Sequence, residues 1–557
     1  MRHKRQWMKK LTFITPMLFS PLSFADYCLN DLLAFTNSPL TSVDLLKESG
    51  IYPTAAHSII RTRNGADGQA ETEDDRQFTS LQEIDDIKYV GPTTLNVLTG
   101  LFPHACAIAN GNIEVIFSPA PYDASHLTKV VEAIHQASVS IDIAMYSFRD
   151  NRILAAISDA VQRGVLIRVI SNNALKDRKS PSGTLSEKLE QALIDVRYVN
   201  KIMHHKFAII DSGLESAQLI SGSANWSYSA ATRYDENTVF VKNNAEFINA
   251  FQDEFNLLWH HSRDFTCDTC TVQSIIDSRY QKNEPHSLNT RFTSSNFNTS
   301  TTRYGETFSK VSGRNTVSDT LVDYINQAES SIKIASGHLR SWPITQALLN
   351  KQAEGNVDID IYLDIQEYIS LYTHEQEQAE RQACLEQATT PSQEQACYDK
   401  GSHYSYMLRE QGIDVRFKSY SYRWHYSYAK QMHHKYTLID NDTLITGSYN
   451  FSDNAEHNSM ENIMIIEREN NPLAIEEFIN NFESIWQTGI EDQRYETLLA
   501  QINDETVQSF PIVFDPMAIT WEQVTHLKER IRAVCPAINS EAFRKNPEAH
   551  YVCEKPH

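Results

Sequence analysis

Apolar and polar residues follow two different spacings along residues 113–170, and their succession predicts a layered α/β fold. The stretches IEVIFS, SVSIDIAMYSF and VLIRVI form apolar runs that are typical of β-strands. Between them, residues 125–137 and 153–163 repeat apolar positions at helical spacing. Strands that alternate with helices predict a β-sheet covered by helices on its faces.

The same order of patterns returns in residues 316–365 and predicts a second, similar half. Residues 316–329 and 344–353 have helical spacing, whereas SSIKIASGHL and VDIDIYLDI read as strands. Each half ends in a stretch with aromatic residues four positions apart, which predicts a helix with one core-facing aromatic side. These residues are Phe247, Phe251, Phe255 and Trp259, and later Phe478, Phe482 and Trp486.

Each half also contains one nearly identical strand-like stretch that carries reactive side chains. IMHHKFAIID covers Ile202–Asp211, and QMHHKYTLID covers Gln431–Asp440. Because side chains alternate between the faces of a strand, the first histidine and the lysine share a face, and the second histidine points away. The shared faces hold His204 with Lys206 and His433 with Lys435, opposite His205 and His434.

A second polar set follows each of these strands. A Gly-Ser-x-Asn turn comes first, and a Glu-Asn pair begins eleven residues after its asparagine. The residues are Ser223, Asn225 and Glu236 in the first half, and Ser448, Asn450 and Glu461 in the second. Recurrence of the whole set in both halves indicates a function that uses the two copies together.

The pattern H-x-K-x-x-x-x-D, followed by G-S-x-N, resembles the HKD motif of the phospholipase D superfamily. The resemblance covers residues 112–488, and its first part is most similar to the compact bacterial nuclease branch and its mitochondrial relatives. It implies two α/β sandwich halves of phospholipase D type that form one active site. Relatives with one motif pair as dimers, so a chain with both motifs is expected to work as a monomer.

The resemblance and the chemistry of phosphodiester cleavage imply a role for each residue. One histidine attacks phosphorus and forms a phosphohistidine, and the other protonates the leaving alcohol and then activates water. Several relatives use the N-terminal histidine as nucleophile, which favours His204 with His433 as acid, although the residues alone leave the order open. The supporting residues are Lys206 and Lys435 as positive charges, Asn225 and Asn450 as neutral donors, Ser223 and Ser448 as donors to an oxyanion, Glu236 and Glu461 as imidazole partners, and Asp211 and Asp440 as orienting groups. No cofactor or metal is expected, because a zinc site made of these histidines would place two ammonium groups beside the cation.

The N-terminus predicts export. A basic start, an apolar stretch over Leu11–Phe24 and the small-x-small sequence Ser23-Phe24-Ala25 are typical of a signal peptide, so residues 1–25 are expected to be removed near Ala25. No later apolar run is long enough to span a membrane. A secreted or periplasmic chain is therefore expected. Removal of five basic residues changes the formal net charge from −21 to −26, which disfavours polyanion binding outside a local basic site.

The eight cysteines predict disulfides, because their number is even and the chain is expected to be exported. Sequential pairing would join Cys28 to Cys106, Cys267 to Cys270, Cys384 to Cys397 and Cys535 to Cys553. Connectivity cannot be fixed by sequence alone. Zinc at Cys267-x-x-Cys270 is disfavoured, because no second ligand pair lies nearby in the sequence.

Six segments are predicted, including two of the phospholipase D type. They are the signal peptide 1–25, a helix-hairpin-helix-like domain 26–108, the first half 109–262, a linker 263–305, the second half 306–490 and an appendage 491–557. Residues 26–108 resemble a tandem helix-hairpin-helix, which implies a DNA contact; a disulfide-closed helical cap is the equal alternative. The loop Asp67–Asp75 is interpreted as an acidic solvated loop rather than a calcium site.

Together these observations predict an exported phosphodiesterase. A phospholipase D that converts phosphatidylcholine-type lipids to phosphatidic acid is placed first, because the acidic chain disfavours polyanion substrates. A metal-independent DNA endonuclease is the alternative enzyme, and a catalytically inactive binding protein is the alternative from another class. A phosphatidyl transferase is disfavoured by the expected export.

Overall fold

The computed structural model describes residues 32–555, with gaps at 71, 73, 79–82, 85–86, 92–93, 96, 99–112, 215, 271–288, 399, 401, 421–428 and 536–551. Residues up to 111 form one unit and residues 112–557 form another. The predicted signal peptide, the Cys28–Cys106 pair and about half of the second N-terminal hairpin lie outside the described residues.

The N-terminal unit contains the first predicted helical hairpin. Helix α1 (Val43–Glu48) begins after Ser42, whose side chain accepts the Leu45 N–H, and helix α2 (Pro53–Arg63) has proline at its start. Gly50 lies in the turn between them with φ of 99°, a conformation that glycine adopts without steric cost. The two helices contribute Leu46, Ala56 and Ile59 to a small apolar cluster that also contains residues before and after them, and the predicted helices of this hairpin are present.

Hydrogen bonds within the acidic loop that follows α2 stabilise one of its carboxylates. Asp74 accepts the N–H groups of Ala66 and Asp67 and the hydroxyl of Thr72, and these hydrogen bonds lower the pKa of Asp74. The interpretation as a solvated loop stays a prediction.

Two eight-stranded sheets with the same topology form the second unit. The first has the order β1-β8-β7-β6-β2-β3-β4-β9, and the second has the order β10-β21-β18-β17-β13-β15-β16-β23. In each, two adjoining pairs are parallel (β2–β3–β4 and β13–β15–β16) and the others are antiparallel. The first sheet consists of β1 Ile113–Ser118, β2 Ser140–Met145, β3 Leu166–Ser171, β4 Asp195–Tyr198, β6 Lys206–Ile210, β7 Gln218–Gly222, β8 Glu236–Lys242 and β9 Arg263–Asp264. The second consists of β10 Thr290–Phe292, β13 Ser331–Ser336, β15 Asp358–Asp364, β16 Asp414–Ser419, β17 Lys435–Ile439, β18 Thr443–Gly447, β21 Asn462–Glu467 and β23 Met517–Thr520.

Short strand pairs complete the connections. They are β5 Ile202–Met203 with β20 Ser459–Met460, β11 Phe297–Thr302 with β12 Gly305–Lys310, β14 Leu339–Arg340 with β19 Phe451–Ser452, and β22 Ser509–Pro511 with β24 Val552–Glu554. The α-helices of this unit are α3 His126–Gln136, α4 Asn151–Gln162, α5 Asn172–Asp177, α6 Leu185–Gln191, α7 Tyr228–Thr232, α8 Ala245–His260, α9 Thr316–Gln327, α10 Trp342–Glu354, α11 Leu371–Gln387, α12 Pro391–Tyr398, α13 Ser405–Glu410, α14 Asp453–Asn458, α15 Pro472–Trp486, α16 Arg494–Asn503 and α17 Trp521–Val534.

The two aromatic helices lie in the core that the sheets share. Helices α8 and α15 bury Phe251, Phe255, Phe478 and Phe482 in one apolar cluster together with residues from both sheets. Separate clusters lie on the outer faces, where α3 and α4 cover the first sheet and α9 and α10 cover the second. The predicted α/β sandwich halves and their core-facing aromatic helices are therefore present.

Two predicted boundaries were wrong. Part of the predicted linker forms sheet edges, because β9 pairs with β4 and β10 pairs with β21. Part of the predicted appendage also belongs to the second half, because β23 pairs with β16 at the edge of the second sheet. Helix α17, which follows β23, buries Val524, Leu527 and Ile531. These strands have two to four residues, too few to display a period.

Three of the predicted disulfides lie within the described residues, and all three are present. Cys267–Cys270, Cys384–Cys397 and Cys535–Cys553 pair as sequential neighbours. The second joins α11 to α12.

Candidate active site

Backbone pairing between the halves brings the two motif strands together. Strand β5 pairs with β20 of the other half, and the His204 N–H donates to the carbonyl of Met460 at 3.2 Å. On the opposite side, the His433 N–H donates to the carbonyl of Asp235 at 3.0 Å. Each first histidine therefore begins its motif strand directly beside the chain of the other half.

The acidic partner of each first histidine comes from the other half. Nδ1 of His204 lies 2.8 Å from Oε1 of Glu461, and Nδ1 of His433 lies 2.8 Å from Oε1 of Glu236. Both glutamates are fully buried. A carboxylate at Nδ1 keeps the proton on that nitrogen and leaves Nε2 for chemistry. Neither half alone contains such a pair.

Each lysine lies against the histidine two residues before it. Nζ of Lys206 donates to the carbonyl of His204 at 2.7 Å and lies 3.2 Å from its Nε2. Nζ of Lys435 donates to the carbonyl of His433 at 2.6 Å and lies 3.1 Å from its Nδ1. Both lysines are buried, so their charges are placed beside the imidazoles with little solvent screening.

Burial shifts the pKa of every ionisable group in this cluster. It lowers the pKa of Lys206 to about 7 and of Lys435 to about 8, and it raises that of Glu236 to about 8 and of Glu461 to about 7. Burial and the lysine charges hold the pKa of both first histidines well below the usual value. A bound phosphodiester anion would favour the charged lysines and histidines, so the cluster is suited to an anionic ligand.

The predicted donors Ser223 and Ser448 are already engaged by the protein. The Ser448 hydroxyl donates to Oε2 of Glu461 at 2.6 Å, and the Ser223 hydroxyl accepts the Asn237 N–H at 2.9 Å and lowers the pKa of Glu236 by a hydrogen bond. Both side chains are fully buried. The structure therefore places the Ser448 hydroxyl on Glu461 and the Ser223 hydroxyl on the backbone of Asn237, and the role of the two serines as donors to an oxyanion stays a prediction.

The second histidines face the shared core, as strand alternation predicts. His205 accepts a hydrogen bond from Nδ2 of Asn462 at 2.8 Å, and its Nε2 lies 3.2 Å from Oε1 of Glu254. His434 accepts from Nδ2 of Asn237 at 3.2 Å. These asparagines also come from the opposite halves, so the Glu-Asn pairs connect the halves on both faces of the motif strands.

The structure does not bring Asp211 and Asp440 to the histidines. They follow the far ends of β6 and β17 with φ of 52° and 55°. Asp211 accepts the N–H groups of Ser138, Val139 and Ser140, and Asp440 accepts those of residues 329–331. These donors outweigh burial and lower the pKa of both carboxyls. The aspartates therefore fasten each motif strand to the start of its neighbour without contacting the histidines, and their expected orienting role stays a prediction.

Asn225 and Asn450 are partly exposed, and Oδ1 of each is a buried atom without a hydrogen-bond partner within the described part of the chain.

Sequence reasoning missed two residues near the first histidines, Tyr146 and His338. The Tyr146 ring lies 4.8 Å from the His204 ring, centroid to centroid. Tyr146 and His338 follow β2 and β13, the strands that pair with the motif strands. Their position therefore depends on strand register and not on a sequence motif.

Among the described residues, one group of carboxylates lies close enough together to hold a metal ion, and it is distant in sequence from the two motifs. Glu190, Asp195 and Asp264 approach one another at the edge formed by β4 and β9, where Arg197 lies beside Asp195. Within the same described ranges, no helix has the length and apolar character needed to traverse a bilayer.

Comparisons with known proteins agree with this geometry. The family described as "Cardiolipin synthase, PLD-like domain" matches residues 130–259 and 321–486. Mitochondrial cardiolipin hydrolase of Danio rerio is 32% identical over 164 residues, which cover 29% of this chain and 64% of the relative. The human mitochondrial cardiolipin hydrolase is 32% identical over 141 residues, covering 25% of this chain and 53% of the relative. The chain thus spans less than two thirds of the length of these relatives.

A solved structure, described as the phospholipase D family member Nuc from Salmonella typhimurium, is also similar. It is 27% identical and covers 28% of this chain and 98% of its own, with a TM-score of 0.24.

Replacement of Glu461 or Glu236 by glutamine tests the cross-half pairs. We expect kcat on a small chromogenic phosphodiester to fall on the order of 10²-fold, because the imidazole loses its charged partner. Steady-state kinetics and thermal unfolding would be measured together. Glu254→Gln is the matched control, since it alters a histidine contact on the core face; a fall in kcat as large as that of Glu461→Gln would contradict the assignment.

Asp211→Asn and Asp440→Asn test the strand-fastening role. Each variant removes a charged acceptor of three N–H groups, so the free energy of unfolding should fall by about 1–3 kcal/mol while kcat of the folded protein stays close to wild type. Urea unfolding and activity would be measured on the same samples. Asp123→Asn, at an exposed carboxylate, serves as control; unchanged stability with lost kcat would place the aspartates in the chemistry after all.

Proposed function

The chain belongs to the phospholipase D superfamily of phosphodiesterases, and on that basis we propose that it is an exported hydrolase that releases the head group of a phospholipid. This proposal rests mainly on the pair of buried imidazoles, each held by a glutamate of the other half and each beside a lysine. Such an arrangement offers two imidazoles for one phosphodiester, together with positive charge for its oxygens.

In the first step, Nε2 of His204 attacks phosphorus while the bond to the head-group oxygen breaks. His433 transfers a proton to the departing alkoxide, so the head group leaves as a neutral alcohol. Lys206 and Lys435 compensate the charge on the phosphoryl oxygens.

In the second step, water attacks phosphorus and the P–N bond to His204 breaks. His433 now accepts the proton from the attacking water, which restores the starting protonation of the site. The products are phosphatidic acid and the free alcohol. Support for His433 as the acid comes from its side-chain exposure of 20% against 11% for His204, because the alcohol must leave beside its proton donor.

A lipid substrate is proposed ahead of DNA. The formal net charge of −21 opposes the approach of a long polyanion, whereas a single lipid diester needs only the buried cations. The two relatives described above are named for cardiolipin hydrolysis, which is hydrolysis of a lipid diester. DNA cleavage is the second candidate, and the helical hairpin α1–α2 favours it because such turns offer N–H groups to phosphate.

Export to the periplasm or the medium is supported by the disulfides. Three cysteine pairs are bonded in the described residues, and disulfides persist in oxidising compartments.

A single-turnover experiment distinguishes the two histidines. With bis(p-nitrophenyl) phosphate the leaving group needs no proton, so His433→Ala should release about one equivalent of p-nitrophenol and then stop as a phosphorylated enzyme, because the water lacks its base. His204→Ala should give no burst. Stopped-flow absorbance and intact mass of the trapped protein give the readout. A burst in His204→Ala but not in His433→Ala would reverse the two roles.

The substrate class is tested by giving one preparation phospholipid vesicles and single- and double-stranded DNA at two salt concentrations. We expect release of the head group and intact DNA. A nuclease would instead cut DNA, with rates that fall steeply as salt increases. Cleavage of DNA without lipid turnover would refute the lipid proposal.

A further inference from the structure

A third histidine lies beside the proposed acid, and strand register places it there. Strand β13 runs antiparallel to β17 with Ser336 opposite Lys435, and the Gly337 N–H donates to the carbonyl of His434 at 3.2 Å. Extending this register puts His338 opposite His433. Directly opposed residues in an antiparallel pair point to the same face, so His338 lies on the face that carries the site.

Gly337 permits this close approach. A Cβ at this position would lie 2.9 Å from the carbonyl oxygen of Met432, the residue before His433. A side chain at this position would therefore require one of the two chains to shift, and the absence of one keeps the chain after β13 close to the motif.

A buried carboxylate fixes the ring of His338. Nδ1 lies 2.9 Å from Oε1 of Glu367, and Nη2 of Arg340 lies 2.8 Å from the same oxygen. Although burial opposes ionisation, hydrogen bonds from His338 and Arg340 hold the pKa of Glu367 at about 2. An ionised acceptor keeps the proton on Nδ1, so Nε2 is the free nitrogen of the ring.

Nε2 of His338 is available to a ligand. The side chain is 33% exposed, and Nε2 has no hydrogen-bond partner among the residues that the structure describes. His338 is also one of the groups that lower the pKa of both His204 and His433, which agrees with a position near the two reacting groups.

The first half has no equivalent of this group. Met145 is opposite Lys206, so the same register places Ser147 opposite His204. The neighbouring Tyr146 packs its ring against His204 instead. The two halves therefore differ at this position, and the histidine lies on the side of His433, where the alcohol leaves in the proposed mechanism.

We propose that His338 is a specificity residue, whose Nε2 accepts a hydrogen bond from a hydroxyl of the departing head group. The ligand class is phospholipid whose head group carries a hydroxyl near the scissile diester, as a glycerol head group does. This proposal rests on the proposed lipid hydrolysis. A choline head group has no hydroxyl to donate, and its trimethylammonium forms no such hydrogen bond with the imidazole.

The test compares short-chain phosphatidylglycerol with phosphatidylcholine of the same acyl chains. His338→Ser copies Ser147 of the first half, and we expect the glycerol-to-choline ratio of kcat/KM to fall about tenfold, mainly through lost binding of the glycerol head group. Glu367→Gln should lower the same ratio, because the ring is no longer held. His338→Gln, whose side-chain oxygen can accept the same hydroxyl, should restore part of it.

His403→Ser is the matched control, because His403 forms a similar pair with Glu377, 2.9 Å apart, outside the motif strands. Its ratio should equal that of wild type, and thermal unfolding would verify the folding of all variants. Equal losses on both lipids, or an unchanged ratio in His338→Ser, would overturn the specificity role while leaving lipid hydrolysis intact. A wild-type protein that releases neither glycerol nor choline would overturn both proposals.

Discussion

The exchange of glutamates between the halves is the constraint on which the structure depends. Each first histidine takes its carboxylate from the other repeat, and both glutamates are buried. Buried carboxylates are costly unless they are paired, so the two halves must meet accurately before any of these charges is stabilised. Three features hold the halves in this arrangement. They are the pairing of β5 with β20, the apolar layer of α8 and α15, and the asparagine–histidine hydrogen bonds between the halves.

The repeated halves nevertheless differ where the chemistry needs two roles. Asp235 forms a buried ion pair with Lys418 at 2.7 Å, whereas the matching position before the second Glu-Asn pair is Met460. His338 corresponds to Ser147, and Gly337 to Tyr146. These differences place Asp235 and His338 on the side of His433, where the Tyr234 ring lies 6.2 Å from the histidine ring, whereas the Tyr146 ring lies 4.8 Å from that of His204. The two first histidines therefore have different surroundings.

Much of this arrangement could be predicted from the sequence, because the repeats are long and strongly periodic. Strand β1 coincides with the apolar stretch IEVIFS, and the four helices whose bounds were predicted, α3, α4, α9 and α10, begin within two residues of the predicted positions. The motif residues of both faces were recognised because they recur. Edge strands such as β10 escaped prediction, since three residues form no period and their pairing is decided by a distant strand. The swap of glutamates, the engagement of Ser448 and the position of His338 depend on register and on contacts between halves, which a single sequence does not contain.

One polypeptide carries both members of every pair that crosses the site, and this has a thermodynamic consequence. Sites assembled from separate subunits are lost on dilution below the dissociation constant of the assembly. Halves joined in one chain meet instead at an effective concentration that is commonly on the order of millimolar for short flexible linkers, whatever the amount of protein present. The chain that joins β9 to β10 supplies this covalent link. The pairs of His204 with Glu461 and of His433 with Glu236 are thus intramolecular, and their formation needs no second copy of the chain.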